Sequence, residues 1–188
     1  MIPRAAMRHK EQGITMIEVL ITIVVVAIGL MGMAVMQMTS MNNQLEAYQR
    51  SQALFLIEDM ANRIRGNAAA ARTGDYANAT DFGLQDIEDC DLEVTQAARD
   101  LCEWNIAVIG TSTTLDGNNI GSVVGANACL ENIAGSADGE TIIRLTVAWQ
   151  GMTPTVSPAS DCGRNNYGAD DRFRRTVSVD TVLASLAI

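Results

Sequence analysis

From Ile14 to Leu45 the chain carries one ionisable side chain, Glu18. The stretch Val19 to Met36 is apolar apart from Thr22 and two glycines, Gly29 and Gly32. About 20 helical residues cross the hydrocarbon core of a bilayer, so this stretch with its flanks is long enough to span one. The sequence beyond it is polar and acidic, rich in Gly, Asn, Asp and Thr. That contrast predicts a membrane or filament segment joined to a soluble head rather than one uniform globule. Arg4, Arg8 and Lys10 precede the run, which places residues 1–13 on the cytoplasmic side and sends the acidic C-terminal part across. A secretory signal is cut after its apolar run. Here the candidate cut, Gly13–Ile14, lies before it, so the apolar helix stays with the mature chain.

Removing residues 1–13, which carry a net charge of +2, takes the formal charge from −9 to −11. Such a chain lacks the clustered Lys and Arg that bind phosphate, and no nucleic-acid partner is implied. Arg172, Arg174 and Arg175 form the one dense basic group after the leader, and they read as the solvated flank of a strand. His9 is the only histidine and Lys10 the only lysine, both in the leader. A chain starting at Ile14 therefore has no imidazole and no side-chain amine. Ser–His–Asp and Cys–His catalysis, His-ligated zinc and Lys Schiff bases are all ruled out for it. Paired carboxylates could act as in glycosidases, but no spacing singles out a pair. The expectation is a protein that is not an enzyme, with no cofactor and no metal.

Cys90, Cys102, Cys129 and Cys162 all follow the membrane segment. With no CxxC among them and an extracytoplasmic setting, disulfides are the default. Four cysteines allow three pairings. Cys90–Cys102 with Cys129–Cys162 closes the shortest loops and is favoured, and the other two stay open.

The sequence Lys10-Glu11-Gln12-Gly13-Ile14-Thr15-Met16-Ile17-Glu18-Val19-Leu20 resembles the type III signal of type IV pilins: a Gly, an apolar residue after it, an acid four positions on, and an apolar helix. The resemblance covers roughly the first third of the chain. It implies that a prepilin peptidase cuts between Gly13 and Ile14 and methylates the new amino terminus. Further on, Asp100 with Trp104, the segment Ile142-Ile143-Arg144-Leu145-Thr146-Val147-Ala148-Trp149 and a closing Arg-rich strand resemble the minor pilins of the PilV kind. An unpaired carboxylate in a bilayer costs several kcal/mol. The partner available to Glu18 is the amino terminus of a neighbouring subunit, released only by cleavage at Gly13. Pairing would set the register of the incoming subunit. The plainer reading of Glu18 is an acid favoured by the start of a helix.

The resemblance also implies that pilin helices loosen near Gly29 and Gly32. Many carry a Pro in this stretch where this chain has Val35, so loosening would rest on the glycines. Met31, Met33, Met36, Met38 and Met41 suit the filling of uneven gaps between helices. Ala53, Leu56, Ile57, Met60, Ala61 and Ile64 then recur on one helical stripe, with Asp59 and Arg63 at i, i+4 on a wetter face and Gly66-Asn67 as a stop. One helix from Ile14 to Arg65 would be roughly 78 Å long.

Residues 67–90 read as loop, and a second helix is expected from Leu92 to Val108, with Leu101, Trp104 and Val108 on one side. A turn-rich link from Thr111 to Asn119 follows, then strands over Ala128–Ile133, Thr141–Trp149 and Thr176–Val182. Asp116-Gly117-Asn118-Asn119 and Asn165-Asn166-Tyr167-Gly168-Ala169-Asp170-Asp171 lack the further ligands a calcium loop needs and read as turns. The fold class expected is α+β: a long N-terminal helix packed on a small antiparallel sheet, the pilin fold that the resemblance implies. Its organisation is a leader over 1–13, the long helix over 14–66 (membrane or filament core 14–38, amphipathic 39–66) and a head over 67–188.

The function implied is that of a minor pilin of a type IV pilus, taking part in assembly priming and the tip complex. Its partners would be the prepilin peptidase, other minor pilins, the major pilin, a tip adhesin and the bacterial inner membrane, from which it passes to the pilus at the cell surface. A minor pseudopilin of type II secretion shares the same signal. A single-span membrane-anchored binding protein would leave the Gly13–Ile14–Glu18 arrangement without a reason.

Overall fold

The computed structural model describes residues 13–77, 79–84, 89–110, 114–115, 118–119, 123–134, 140–168 and 170–184. The chain divides into two compact units, Met1–Asn43 and Gln44–Ile188. Helix α1, Met16–Gly66, has 51 residues. Its described residues up to Leu45 are exposed, as an apolar helix in a single chain must be when nothing surrounds it. This helix is long and apolar enough to cross a membrane.

In the second unit α1 changes character. Ala53, Leu56, Ile57, Met60, Ala61 and Ile64 are buried, so the stripe expected from their spacing is the face that packs. Burying a Leu, Ile or Met side chain contributes on the order of 1.5–3 kcal/mol before entropy is subtracted. Gly66 ends the helix. The region expected to be loop instead starts a second short helix, α2, Ala68–Thr73. Its four consecutive alanines carry the highest helix propensity of any residue, which explains the difference. Phe82 departs from the loop reading as well, pairing its backbone with Ala128 in an isolated bridge.

A 3-10 turn, Cys90–Leu92, leads to helix α3, Gln96–Ile109. The helix starts later than expected because Thr95 caps it, accepting from the Ala98 N–H at 3.1 Å. Trp104 and Val108 face the core as expected, while Leu101 only packs at its margin. A two-stranded hairpin, β1 Thr114–Leu115 and β2 Asn118–Asn119, lies within the link expected to be turn. Asp116 and Gly117 lie outside the described residues.

The main sheet is antiparallel, ordered β3-β4-β5, with β3 Asn127–Ala134, β4 Thr141–Gln150 and β5 Arg174–Leu183. The long helix packed with this small sheet makes the fold α+β and pilin-like. Leu130, Leu145 and Val179 stand opposite one another, as do Ala128, Val147 and Val177, which puts one apolar face of the sheet into the core. The other face is covered at one end by the segment between β4 and β5, which buries Thr146 and Ala148. At its open end Glu131, Arg144 and Asp180 lie in a row across the three strands, and Arg144 donates to both Asp180 oxygens at 2.7 and 2.9 Å. Those bonds hold the Asp180 carboxyl below the usual carboxylate range.

Candidate processing and assembly site

Gly13 to Thr15 lead directly into α1, and all three are exposed. A Cβ built on Gly13 meets no atom within 4 Å, and Ile14 is 77% exposed. Nothing described shields the Gly13–Ile14 peptide bond from an enzyme. Thr15 acts as the helix cap through its backbone, accepting from the Glu18 and Val19 N–H groups at 3.0 and 3.3 Å. Thr15-Met16-Ile17-Glu18 has the spacing of a capping box. Yet neither side chain makes the reciprocal bond, and the Glu18 carboxylate has no partner among the described residues. An acid in the first turn is favoured by the helix dipole, by about 0.3–1 kcal/mol at an exposed site. That is much less than the cost of an unpaired carboxylate in a bilayer. The site is thus an accessible peptide bond, an apolar helix and one unspent negative charge. Residues 1–12 lie outside the described residues.

In the second unit the Arg-rich start of β5 departs from the solvated flank expected of it. Arg174 is 0% exposed and donates to the carbonyl oxygens of Ser160 (2.6 Å), Cys162 (2.8 Å) and Pro158 (3.1 Å). Its Nε lies 3.4 Å from the buried Asp171 carboxylate, which in turn accepts twice from the Asn165 N–H at 3.0 Å. One guanidinium therefore gathers the segment between β4 and β5 from the inside, using the planar fork that a lysine lacks. Gly163, at φ +66°, lets this segment turn where a Cβ would meet the Tyr167 ring at 2.9 Å and Ala148 at 3.1 Å. Arg175 is half-buried. It bonds Glu46 of α1 and the Thr153 carbonyl at 3.1 and 2.6 Å, while Glu46 also accepts from the Met152 N–H at 3.1 Å. Only Arg172 of the three remains on the surface.

The structure joins Cys90 to Cys102 and Cys129 to Cys162, leaving no free cysteine. The first bond ties the 3-10 turn to α3. The second ties β3 to the segment that Arg174 gathers. Thiol labelling of the natively purified protein without reductant should therefore modify no cysteine, and all four should label after reduction under denaturing conditions. Each cross-link is worth a few kcal/mol to a head of this size.

Asp100 and Trp104 of α3 both face α1. The Trp104 indole donates to the Leu56 carbonyl at 2.8 Å, and its ring meets Phe82 edge-on at 5.1 Å. Asp100 is buried and accepts from Tyr76 Oη and, at 2.8 Å, from Gln96. Burial and the adjoining Asp100 carboxylate push the Tyr76 hydroxyl up to about 12, which keeps it a donor. Arg63 reaches Asp59 at 3.0 Å and Glu103 at 2.6 Å, so the expected i, i+4 pair also bridges two helices. Among the described residues no group of His, Cys, Asp or Glu is placed to hold a metal ion.

Neither a curated protein nor a solved structure matches the chain. Two family models do. The prokaryotic N-terminal methylation motif matches residues 8–34, which contain Gly13, Ile14 and Glu18. The model of type IV pilin Tt1218 matches residues 35–105, from the apolar helix through the α1–α3 packing and Trp104. The two segments abut and together cover just over half of the 188 residues. Over these two segments the chain is similar to the type IV pilins, a family of structural subunits and not of enzymes.

Proposed function

We propose that this chain is a minor pilin of a type IV pilus, PilV-like, cut between Gly13 and Ile14 and N-methylated on Ile14. The single observation that carries this reading is the accessible Gly13–Ile14 bond four residues ahead of Glu18, which has no partner among the described residues, at the start of an apolar helix. Before assembly the helix anchors the chain once in the inner membrane, with the disulfide-bearing head outside the cytoplasm. Once cut, the amino group of one subunit pairs with Glu18 of another and fixes the axial register of the helices. The head then joins other minor pilins and the major pilin in the assembly-priming tip complex. The size of the head, its four cysteines and the Trp104 to Trp149 pattern favour the pilus over the secretion pseudopilins that share the signal.

Intact-mass measurement of the membrane-extracted protein tests the processing step. The expected mass is that of residues 14–188 with one added methyl group and four fewer hydrogens for the two disulfides. Recovery of the full-length chain from cells with an active prepilin peptidase would overturn the reading. Gly13→Ala should still be cut, whereas Gly13→Leu should accumulate as precursor, because the peptidase has to approach the backbone closely there.

A further inference from the structure

The two edges of the main sheet differ. On the outer side of β3, Ala128 exchanges backbone bonds with Phe82 at 2.9 and 3.2 Å, and the Leu130 N–H donates to the Ala79 carbonyl at 2.7 Å. On the β5 side, the Gly151 N–H donates to the Phe173 carbonyl at 2.7 Å, one step beyond the Gln150–Arg174 pair. Bonded and non-bonded pairs alternate in an antiparallel ladder. Arg175, Val177, Val179, Thr181 and Leu183 therefore bond β4, and the N–H and C=O groups of Thr176, Ser178, Asp180 and Val182 point off the free edge. None of those groups has a partner among the described residues. Free edges are normally blunted by Lys, Pro, a bulge or a covering segment. Strand β5 pairs with β4 without a bulge and holds neither Pro nor Lys. Its one acid, Asp180, is turned along the sheet to accept from Arg144 at 2.7 Å.

We infer that the free edge of β5 takes up an extended strand of another pilus protein, with an Arg or Lys of that strand facing Asp180. The ladder supplies affinity, and the side chains that alternate along it supply selectivity. Glu131, Arg144 and Asp180 form a row of alternating charge that ends on an acid at the edge, so a cation on the next strand continues it. On the other face the row Leu130, Leu145, Val179 ends on a valine only partly buried against the core, which calls for an apolar residue beside that cation. A second copy of β5 does not meet these demands. Arg174 is the one cation on its Asp180 face, and that guanidinium is buried and bonded to three carbonyls. The inference rests on the proposed role as a pilin subunit and specifies how the head holds a partner.

The test uses the full chain in its own host, with p-benzoylphenylalanine in place of Val182, which is 51% exposed beside the edge. After irradiation, the membrane and sheared-pilus fractions are digested and the cross-linked peptide is sequenced by mass spectrometry. It should come from another protein and alternate apolar with polar residues. An Arg or Lys should lie two residues from the attachment point, the spacing of Val182 from Asp180. Ser178→Pro removes an edge N–H and should cut the adduct about tenfold, while the head still folds, since an edge strand tolerates proline there. Ser178→Ala, which loses only the 2.8 Å bond to the Thr146 hydroxyl, should leave the adduct unchanged. Two further variants both break the Arg144–Asp180 pair and decide the matter even if the proline variant misfolds. Asp180→Asn should lower the adduct roughly threefold, and Arg144→Gln, which leaves Asp180 charged for the partner, should hold or raise it. No adduct, an adduct to a second copy of this chain, or equal losses in Asp180→Asn and Arg144→Gln overturns the inference. Intact mass of the same sample separates two kinds of failure. A missing adduct on a chain that starts at methylated Ile14 removes strand addition alone, whereas a missing adduct on a chain that keeps residues 1–13 removes the pilin role as well.

Discussion

Arg174→Met should lower the thermal midpoint of the head by roughly 10 to 20 °C, given a cost of about 3–5 kcal/mol for removing one partner of a buried ion pair and the usual scaling for domains of this size. Arg174 is fully buried, and its loss strands three carbonyl oxygens and the Asp171 carboxylate at once. Methionine fills much of the volume, so the penalty comes from unsatisfied polar groups more than from a cavity. Arg174→Lys should recover only part of the loss, since one ammonium cannot span the three carbonyls in a planar fork. Arg172→Met, on the exposed neighbour two residues before, should change the midpoint by no more than a degree or two. The measurement is thermal unfolding of the detergent-extracted chain, followed by near-ultraviolet circular dichroism of Trp104 and Trp149. A midpoint for Arg174→Met equal to that of Arg172→Met would show that the segment between β4 and β5 is organised by its disulfide and not by the guanidinium.

That prediction also marks the limit of what the sequence discloses. The α1 stripe from Ala53 to Ile64 is legible because a helix buries one face at a fixed period, and the spacing alone names the buried residues. Strand β4 is legible for the same kind of reason, as a run of Ile, Leu, Val and Trp too apolar for a surface. Gly13, Ile14 and Glu18 stand out because a Gly before, and an acid within, an apolar run have no place in ordinary anchors or secretory signals. Arg174 gives no such signal. It falls on the same strand face as Thr176, Ser178 and Asp180, an alternation that reads as solvent-facing. What buries it is a long connection without any period of its own, folded back over one end of the sheet and fixed by a disulfide and by Arg174 itself. Contacts so distant in sequence leave no local trace. Helix α2 is a different case: Asn67 followed by four alanines carries a helix signal that the surrounding Gly, Thr and Asn residues mask.

The largest effect is expected at Glu18, where anchoring and assembly can be told apart. Glu18→Val removes a charge that has no partner among the described residues, so insertion into the membrane should be at least as good as in the wild type. Cleavage at Gly13–Ile14 should continue, because the peptide bond and the apolar run are unchanged. Entry into filaments should fall on the order of a hundredfold, since a charge buried in a bilayer costs about 2.5–3.5 kcal/mol and the proposed pair with a neighbour's amino group is what recovers it. Glu18→Gln keeps the size and some hydrogen bonding but not the charge, and should fall nearly as far. Glu18→Asp keeps the charge one methylene further back and should retain part of the incorporation. The comparison is between the membrane and sheared-pilus fractions, with the major subunit as the loading control and intact mass confirming that each variant is processed. The ordering Asp above Gln identifies the charge as the determinant. Wild-type amounts of Glu18→Val in sheared pili would remove it, and leave the apolar packing of Val19 to Met36 to set the register alone.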